Sequence, residues 1–475
     1  MAFTDRLANR GSVSTGYDID YSMLLNGANT RGEITQTAGD RKTHTISFWH
    51  KRAPRGNWNS DADGGMDETT NDMWGTPSEG DTLRFNNNQL GFFREGESEG
   101  RLYTNAKWRD VAAWYHFVVA VDTTQGTAAN RMKIYVNGVQ QTSFSPEDYP
   151  DQNSETKLMQ NSQLFSIGAG HSGSSAYNAQ GYYADFHIID GAAKAASDFG
   201  EFDSDSGIWK PKEYTGDFNT GSGTNGAHYK FEGTAEGTGG SSTGLDSSGN
   251  SNNMNFQNQN GGLVDTPTNN FCVMNMSNQY RRYPCTYDEG STKVTDNSSG
   301  TGGATATFGV TSGKWYYEIK AADSWTMYGF CDPEHESRIN NNAHETQFLV
   351  AGYLGGSYVF IADLTSQRND TSLSGLSHSS SSIYGVALNL DNDTISFYKD
   401  GSAATPTGIN IDGLAGKIAI PFIGTRGVVE VNFGGYTSFT ISSAASDANG
   451  YGTFEHAPPS GYYAICTKNL AEYGG

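Results

Sequence analysis

Apolar and polar residues alternate in short runs along this chain, the period-two pattern of strands that bury one face. From Tyr21 onward the runs YSMLLNG, HTISFWHKR and TLRFNNNQLGFFREG each alternate, and each closes on Gly, Asn or charged residues that break a strand. The strongest run, WYHFVVAVDTTQGTAANRMKIYVNGVQ (Trp114 to Gln140), reads as two apolar strands around a polar loop. Asn137-Gly138 then turns the second strand back in a hairpin. In the second half, WYYEI and TISFY mix aromatic and β-branched residues as a half-buried strand requires. LDNDT supplies a tight turn through Asn392 and Asp393, residues that tolerate the left-handed backbone. Trp315 and Phe397, in mid-strand, are expected in the core.

Composition fits this reading. With 59 glycines, 12% aromatic and 35% hydrophobic residues, the chain suits many short strands, thin cores and abundant polar loops rather than helices. The 475 residues hold about three domains of average length, but sandwiches of about 200 residues make two the preferred division. Residues 1–20 are polar and aperiodic and read as an N-terminal arm, with virion attachment as its expected use. A first sandwich is expected over 21–215 and a second over 271–475. Between them, 216–270 is rich in Gly, Ser and Asn and reads as a linker with short strands of open allegiance.

Charge and cysteines narrow the partners. A formal charge of −21, with no basic run to offset it, opposes nucleic acid and bare anionic membrane. No apolar stretch reaches the roughly 20 residues that span a bilayer, and MAFTDRLANRGSV lacks the apolar centre of a secretory signal, so the chain is expected to be soluble as made. Cys272, Cys285, Cys331 and Cys466 lack paired C-x-x-C spacing and are expected to be buried free thiols.

In the second half, KWYYEIKA, SWTMYGFCD, SIYGVALNLDNDTISFYKDG and VVEVNFGG follow one another in an order that resembles a SPRY domain. In the first, WYHFVVAV, KIYVNG, LFSIGAG and YYADFHIIDGAA resemble a laminin-G-like, concanavalin A-like jelly roll. The resemblances imply an all-β chain of two tandem antiparallel β-sandwiches. SPRY domains bind peptides or protein loops and are not generally catalysts. The succession GYYADFHIIDGAAKAASDFGEFD, LDSSGN, VDTPTNNF and APPSGYYAICTKNLAE is similar to virion or tail-fibre proteins of marine bacteriophages with lectin-like domains.

Candidate chemistry is sparse. Glucanases of the concanavalin type set two carboxylates about 5–5.5 Å apart on one strand face. Glu95, Glu97 and Glu99 alternate in EGESE, but Gly96 and Ser98 give the other face nothing to bury, so a solvated loop is expected. HExxH is absent, and no catalytic residue is assigned. His335 and His344 lie too far apart in a polar loop to suggest a metal. The acidic loop Asn59 to Trp74 brings Asp61, Asp63, Asp67 and Glu68 together as candidate calcium ligands, although it fails the EF-hand pattern. Trp58 and Trp74 bracket that loop, and Trp325, Tyr353 and Tyr358 lie near strand ends; all five are candidate ligand-stacking residues.

The expected function is non-enzymatic recognition at a phage virion surface, as a tail fibre, knob or head appendage that binds a host glycan or receptor through sandwich loops. Such a protein is made in the host cytoplasm, meets other virion proteins, and works as a homo-oligomer or in many copies. A purely structural capsid or tail component is the alternative, with a glycan depolymerase third.

Overall fold

The computed structural model describes residues 16–26, 30–53, 56–57, 71–77, 80–94, 100–170, 180–279, 285–296, 302–332, 348–363, 369–411 and 416–474. They divide into two compact units, one of Ser14–Pro54 with Asn59–Thr268 and the other mainly of Asn269–Gly475. Each is an antiparallel β-sandwich, and Thr467–Tyr473 is the α-helix among the described residues. This is the fold class expected from the sequence.

The first unit has two large sheets. One centres on Thr43–Arg52, flanked by Trp114–Asp122 and the long strand Gly181–Asp190. The other runs from Phe144–Asp148 at one edge through Thr82–Asn86 and Asn71–Gly75 to Arg31–Thr35. Period-two alternation sends Ile46, Phe48, Phe117 and Val119 inward to meet Trp74, Leu83, Phe85 and Phe92 of the facing sheet. The predicted Asn137-Gly138 turn is present, with φ of +47° and +78°. The outer face of the first sheet is also covered, by Phe199, Trp209, Tyr214 and Phe218 packing on Val118 and Ile189. Thr43–Arg52 is therefore buried from His44 onward on both faces.

Of residues 216–270, expected to be a linker with short strands of open allegiance, those through Thr268 belong to this sandwich. Ala227–Tyr229 pairs with Gly181–Asp190, Asn255–Gln257 with Arg31–Thr35, and Asn260–Leu263 with Ser22–Leu25. The end of the expected arm joins it too: Ile19 is buried, and its backbone N–H donates to Thr268 Oγ1 at 3.2 Å. The segment reads as a linker because its glycines mask strands, two of which find partners more than two hundred residues away. Gly181–Asp190 changes partner midway, pairing through 181–183 with Leu25–Met23 and through 186–188 with Tyr229–Ala227. A bulge falls at that switch, so Tyr183 and Phe186, three residues apart, both enter the core. Lys51 and Asp265, each 1% exposed, form an ion pair at 2.8 Å across the unit. Trp114 Nε1 donates to the same carboxylate at 3.2 Å.

Phe144–Asp148 ends its sheet: Phe144 is buried, while Ser145, Pro146, Glu147 and Asp148 are exposed.

In the second unit, Lys314–Ala321 lies between Ile383–Asn389 and Val428–Asn432, and the facing sheet sets Met327–Cys331 between Ile420–Thr425 and Phe348–Tyr353. Trp315, Tyr317, Tyr328 and Phe397 are fully buried. Asp393, at φ +50°, closes the predicted hairpin. Glu318, also fully buried, accepts the backbone N–H groups of Glu455 and His456 at 2.9 Å and so fastens the C-terminal segment to the sheet. All four cysteines are buried thiols, as expected. Burial pushes the Cys285 and Cys466 thiols up to about 12.

Two predictions follow from burial in the first unit. Asp265→Ala leaves the Lys51 ammonium buried without its counter-charge, and urea denaturation should show a loss of about 3–5 kcal/mol, largely recovered when Lys51→Met and Asp265→Leu are combined. Burial also lowers His44 to about 4 and His50, His116 and His187 to about 3. These rings are neutral in the folded chain but take up protons near pH 6.5 once unfolded. The unfolded chain then binds more protons below pH 6.5, so stability rises with pH through the window from about 4 to 6.5 and levels above it. Melting temperature followed from pH 7 to 4.5 should fall continuously, each ring withdrawing up to about 1.4 kcal/mol per pH unit.

Candidate recognition site

Three of the residues singled out from sequence converge on the second unit. Tyr353 and Tyr358 are register partners across the turn Leu354–Ser357, with ring centroids 5.3 Å apart. Gly355 and Gly356 leave room for the two rings, since a Cβ would come within 2.6 Å of Tyr353 Oη at the first and 2.1 Å of Tyr358 Cε1 at the second. The Trp325 ring meets Tyr353 edge-on at 5.6 Å and remains 46% exposed. Over it lies Arg426, whose guanidinium carbon is 3.8 Å from the ring centroid.

Short-range polar contacts hold these loops together. Asp323 Oδ1 accepts the Trp325 N–H at 2.6 Å, and the Asp323 carbonyl accepts the Thr326 hydroxyl at 2.7 Å. The Thr326 and Thr425 hydroxyls meet at 3.3 Å, and Thr425 Oγ1 accepts the Gly427 N–H at 3.1 Å. Arg426 thus sits on a turn fixed from both sides. Beneath the ledge, Met327, Tyr353, Tyr358 and Ile418 pack on buried Cys331, Ala351, Ile420 and Phe422. The result is a half-exposed aromatic ledge with a cation on it, already ordered. It can take an apolar face by stacking and an acceptor by a charged hydrogen bond. Arg426 escaped the sequence reading, although its place in TRG between IPFIG and VVEVN marks a hairpin tip.

In the first unit Trp74 is not a stacking platform. It occupies the strand Asn71–Gly75, opposite Leu83 and Ile167, and is fully buried between the Phe92 and Phe165 rings. Trp58, the candidate calcium ligands Asp61, Asp63, Asp67 and Glu68, the carboxylates Glu95, Glu97 and Glu99, and His335 and His344 lie outside the described residues.

A further cluster was not anticipated. Asp185 stands at the bulge of the long strand with φ +49°, and His187 and His228 are cross-strand partners beside it. Asp185 Oδ1 lies 2.7 Å from His228 Nε2 and accepts the Tyr17 hydroxyl at 2.9 Å. Burial pushes this carboxyl up, but His187, His228 and Tyr17 outweigh it and hold it well below the usual range. One ligand atom from each of Asp185, His187 and His228 falls within 4.8 Å of the others. The group nevertheless does not suit a metal. The two imidazoles stack at 4.1 Å with planes 17° apart. An ion bonded at about 2.0–2.1 Å must lie in both ring planes, and planes so arranged do not meet at that distance. The cluster is a buried hydrogen-bonded junction that closes the partner switch.

Comparison with known proteins agrees with this architecture. Residues 26–197 match a family model described as the concanavalin A-like lectin/glucanases superfamily. No curated protein matches the chain. Among solved structures, the SPRY domain of human HERC1 is 17% identical, covering 33% of this chain and 96% of its own, with a TM-score of 0.27. A heptameric SAP-like pentraxin from Limulus polyphemus is 16% identical over 38% of this chain and 80% of its own, with a TM-score of 0.27. A candidate carbohydrate-binding protein from Bacteroides ovatus is 16% identical over 52% of this chain and 61% of its own, with a TM-score of 0.32. The chain therefore contains a concanavalin A-like, laminin-G-like sandwich and has SPRY-like neighbours.

Proposed function

We propose that this chain is a non-enzymatic recognition protein that binds a host-surface glycan or receptor through sandwich loops, carried in many copies on a bacteriophage particle as a tail fibre, knob or head appendage. The observation that carries the recognition reading is the pre-ordered ledge of Trp325, Tyr353, Tyr358 and Arg426. Its rings are fixed before any ligand arrives, so little side-chain entropy is lost on binding. The superfamily matched by residues 26–197 is described by lectins as well as glucanases, which supports a glycan as ligand. The phage setting draws on the sequence resemblance set out above. Many copies on one particle would let weak sites suffice, since linked sites gain about 10²- to 10⁴-fold.

The test is saturable binding of labelled protein to an array of bacterial surface oligosaccharides and to a panel of intact marine bacteria, with and without a calcium chelator. Binding is expected, and Trp325→Ala should weaken it at least about tenfold with little change in melting temperature, because that ring is half exposed. Loss with chelator would assign a part to calcium, with the acidic loop as its proposed site. Absence of binding by folded protein to every glycan and cell would overturn the recognition reading in favour of a purely structural virion role.

A further inference from the structure

Arg426 stands in the turn between the strands Ile420–Thr425 and Val428–Asn432, and it reaches the Trp325 indole from a distant part of the sequence. Its guanidinium carbon lies 3.8 Å over the ring centroid, a stacking distance. Stacking uses the face of a guanidinium, while its five N–H bonds lie in its plane and point outward along it. A partner within the protein therefore still leaves donors for a ligand. Asp323, the carboxylate of the Trp325 turn, commits Oδ1 to the Trp325 N–H at 2.6 Å. With Arg426 in place the indole is still 46% exposed. Whatever lies on the indole next to Arg426 shares a layer with the guanidinium and meets it edge-on.

We propose that Arg426 is the specificity-determining residue of the ledge, and that the ligand is a pyranose bearing a carboxylate, a uronic acid unit of a glycan. Its C–H face lies on Trp325 and its carboxylate meets the Arg426 fork. The inference rests on the recognition reading and names the ligand class of that same site. The substituent at C5 leaves a pyranose near its mean plane, so a sugar lying flat beside Arg426 directs that group at the guanidinium edge. A carboxylate there is planar and accepts two parallel N–H bonds, the match for which an arginine fork is shaped. A hydroxymethyl group in its place offers a single oxygen. An acidic peptide presents its carboxylate on a flexible stem, which costs rotamer freedom to hold and brings no flat C–H face to the indole. The charge of −21 on the whole chain repels a polyanion, so a uronate spaced among neutral sugars suits the ledge better than a uniformly acidic polymer.

Methyl β-glucuronide and methyl β-glucoside differ only in carrying a carboxylate or a hydroxymethyl group at C5, and NMR titration of the full chain with each is the test. A short glutamate-containing peptide is the third ligand. The glucuronide should bind about fivefold tighter than the glucoside, the return of one partly exposed charged contact. Arg426→Gln should bring the two glycosides level while the glucoside still binds, and Trp325→Ala should weaken both about tenfold. Arg426→Lys keeps the charge without the fork and should lower the preference to about twofold. A merely structural arginine would weaken both glycosides together and leave their ratio unchanged. Where Arg426→Gln fails to fold, Arg426→Lys decides, and a ratio still about fivefold would overturn the assignment. Equal affinities in the unaltered protein, a tighter glucoside, or a preference that survives Arg426→Gln would overturn it as well. Peptide binding as tight as that of the glucuronide would overturn the sugar in favour of a protein ligand. Failure of both glycosides also overturns the uronate assignment, whereas the recognition reading falls only when cells and arrays go unbound.

Discussion

A buried ammonium has to be matched, and in the first unit Asp265 matches Lys51 from the far end of the fold's sequence. Much of the unit's closure follows from that demand. Lys51 sits on the central strand; Asp265 also accepts from Trp114 Nε1 on the neighbouring strand, and its carbonyl accepts the Ser22 hydroxyl at 2.6 Å. One short segment thereby ties together strands from three distant parts of the chain. The same segment supplies strands to both sheets, so the sandwich is complete only when the chain has returned. The long strand Gly181–Asp190 requires that return as well, because half of its outer edge is paired by Ala227–Tyr229.

What the sequence made legible was local. Asn137-Gly138 and Asn392-Asp393 carry their turns in their own backbone preferences, and alternation picked out the strands on either side. The glycine-rich stretch after Tyr214 was not legible, because Gly, Ser and Asn depress strand propensity while the pairing that overrides it is nonlocal. Trp74 was misplaced for a related reason: the sequence before it is polar, and only the register with Leu83 and Ile167 shows that it lies within a strand. In the second unit, position near strand ends was enough to find Trp325, Tyr353 and Tyr358, since register partners across one turn must lie together. Arg426 required knowing that a second hairpin tip arrives over Trp325, and no spacing along the chain encodes that meeting.

The two units offer contrasting surfaces. The ledge of the second is aromatic and cationic, fixed by stacking and by hydroxyl contacts between its loops. The first unit carries a cavity bordered by Thr234, Ser241 and Ser247, beside the carboxylates of Asp18, Asp20 and Glu232. In the ledge, Gly355 and Gly356 stand where a Cβ would run into the Tyr353 and Tyr358 rings. In the buried junction of Asp185, His187 and His228, Asp185 is met by His228 and by the Tyr17 hydroxyl, and the two imidazoles stack.

The edge strand Phe144–Asp148 has a consequence for crowding. An unpaired strand edge is a template on which another chain can add. Here Pro146 lacks the N–H that an incoming strand would need, and Glu147 and Asp148 set two like charges beside it on a chain of net charge −21. Copies pressed side by side at high local density would meet repulsion where they could otherwise knit into a continuous sheet. At this edge the sandwich is guarded against adding a strand from a second copy.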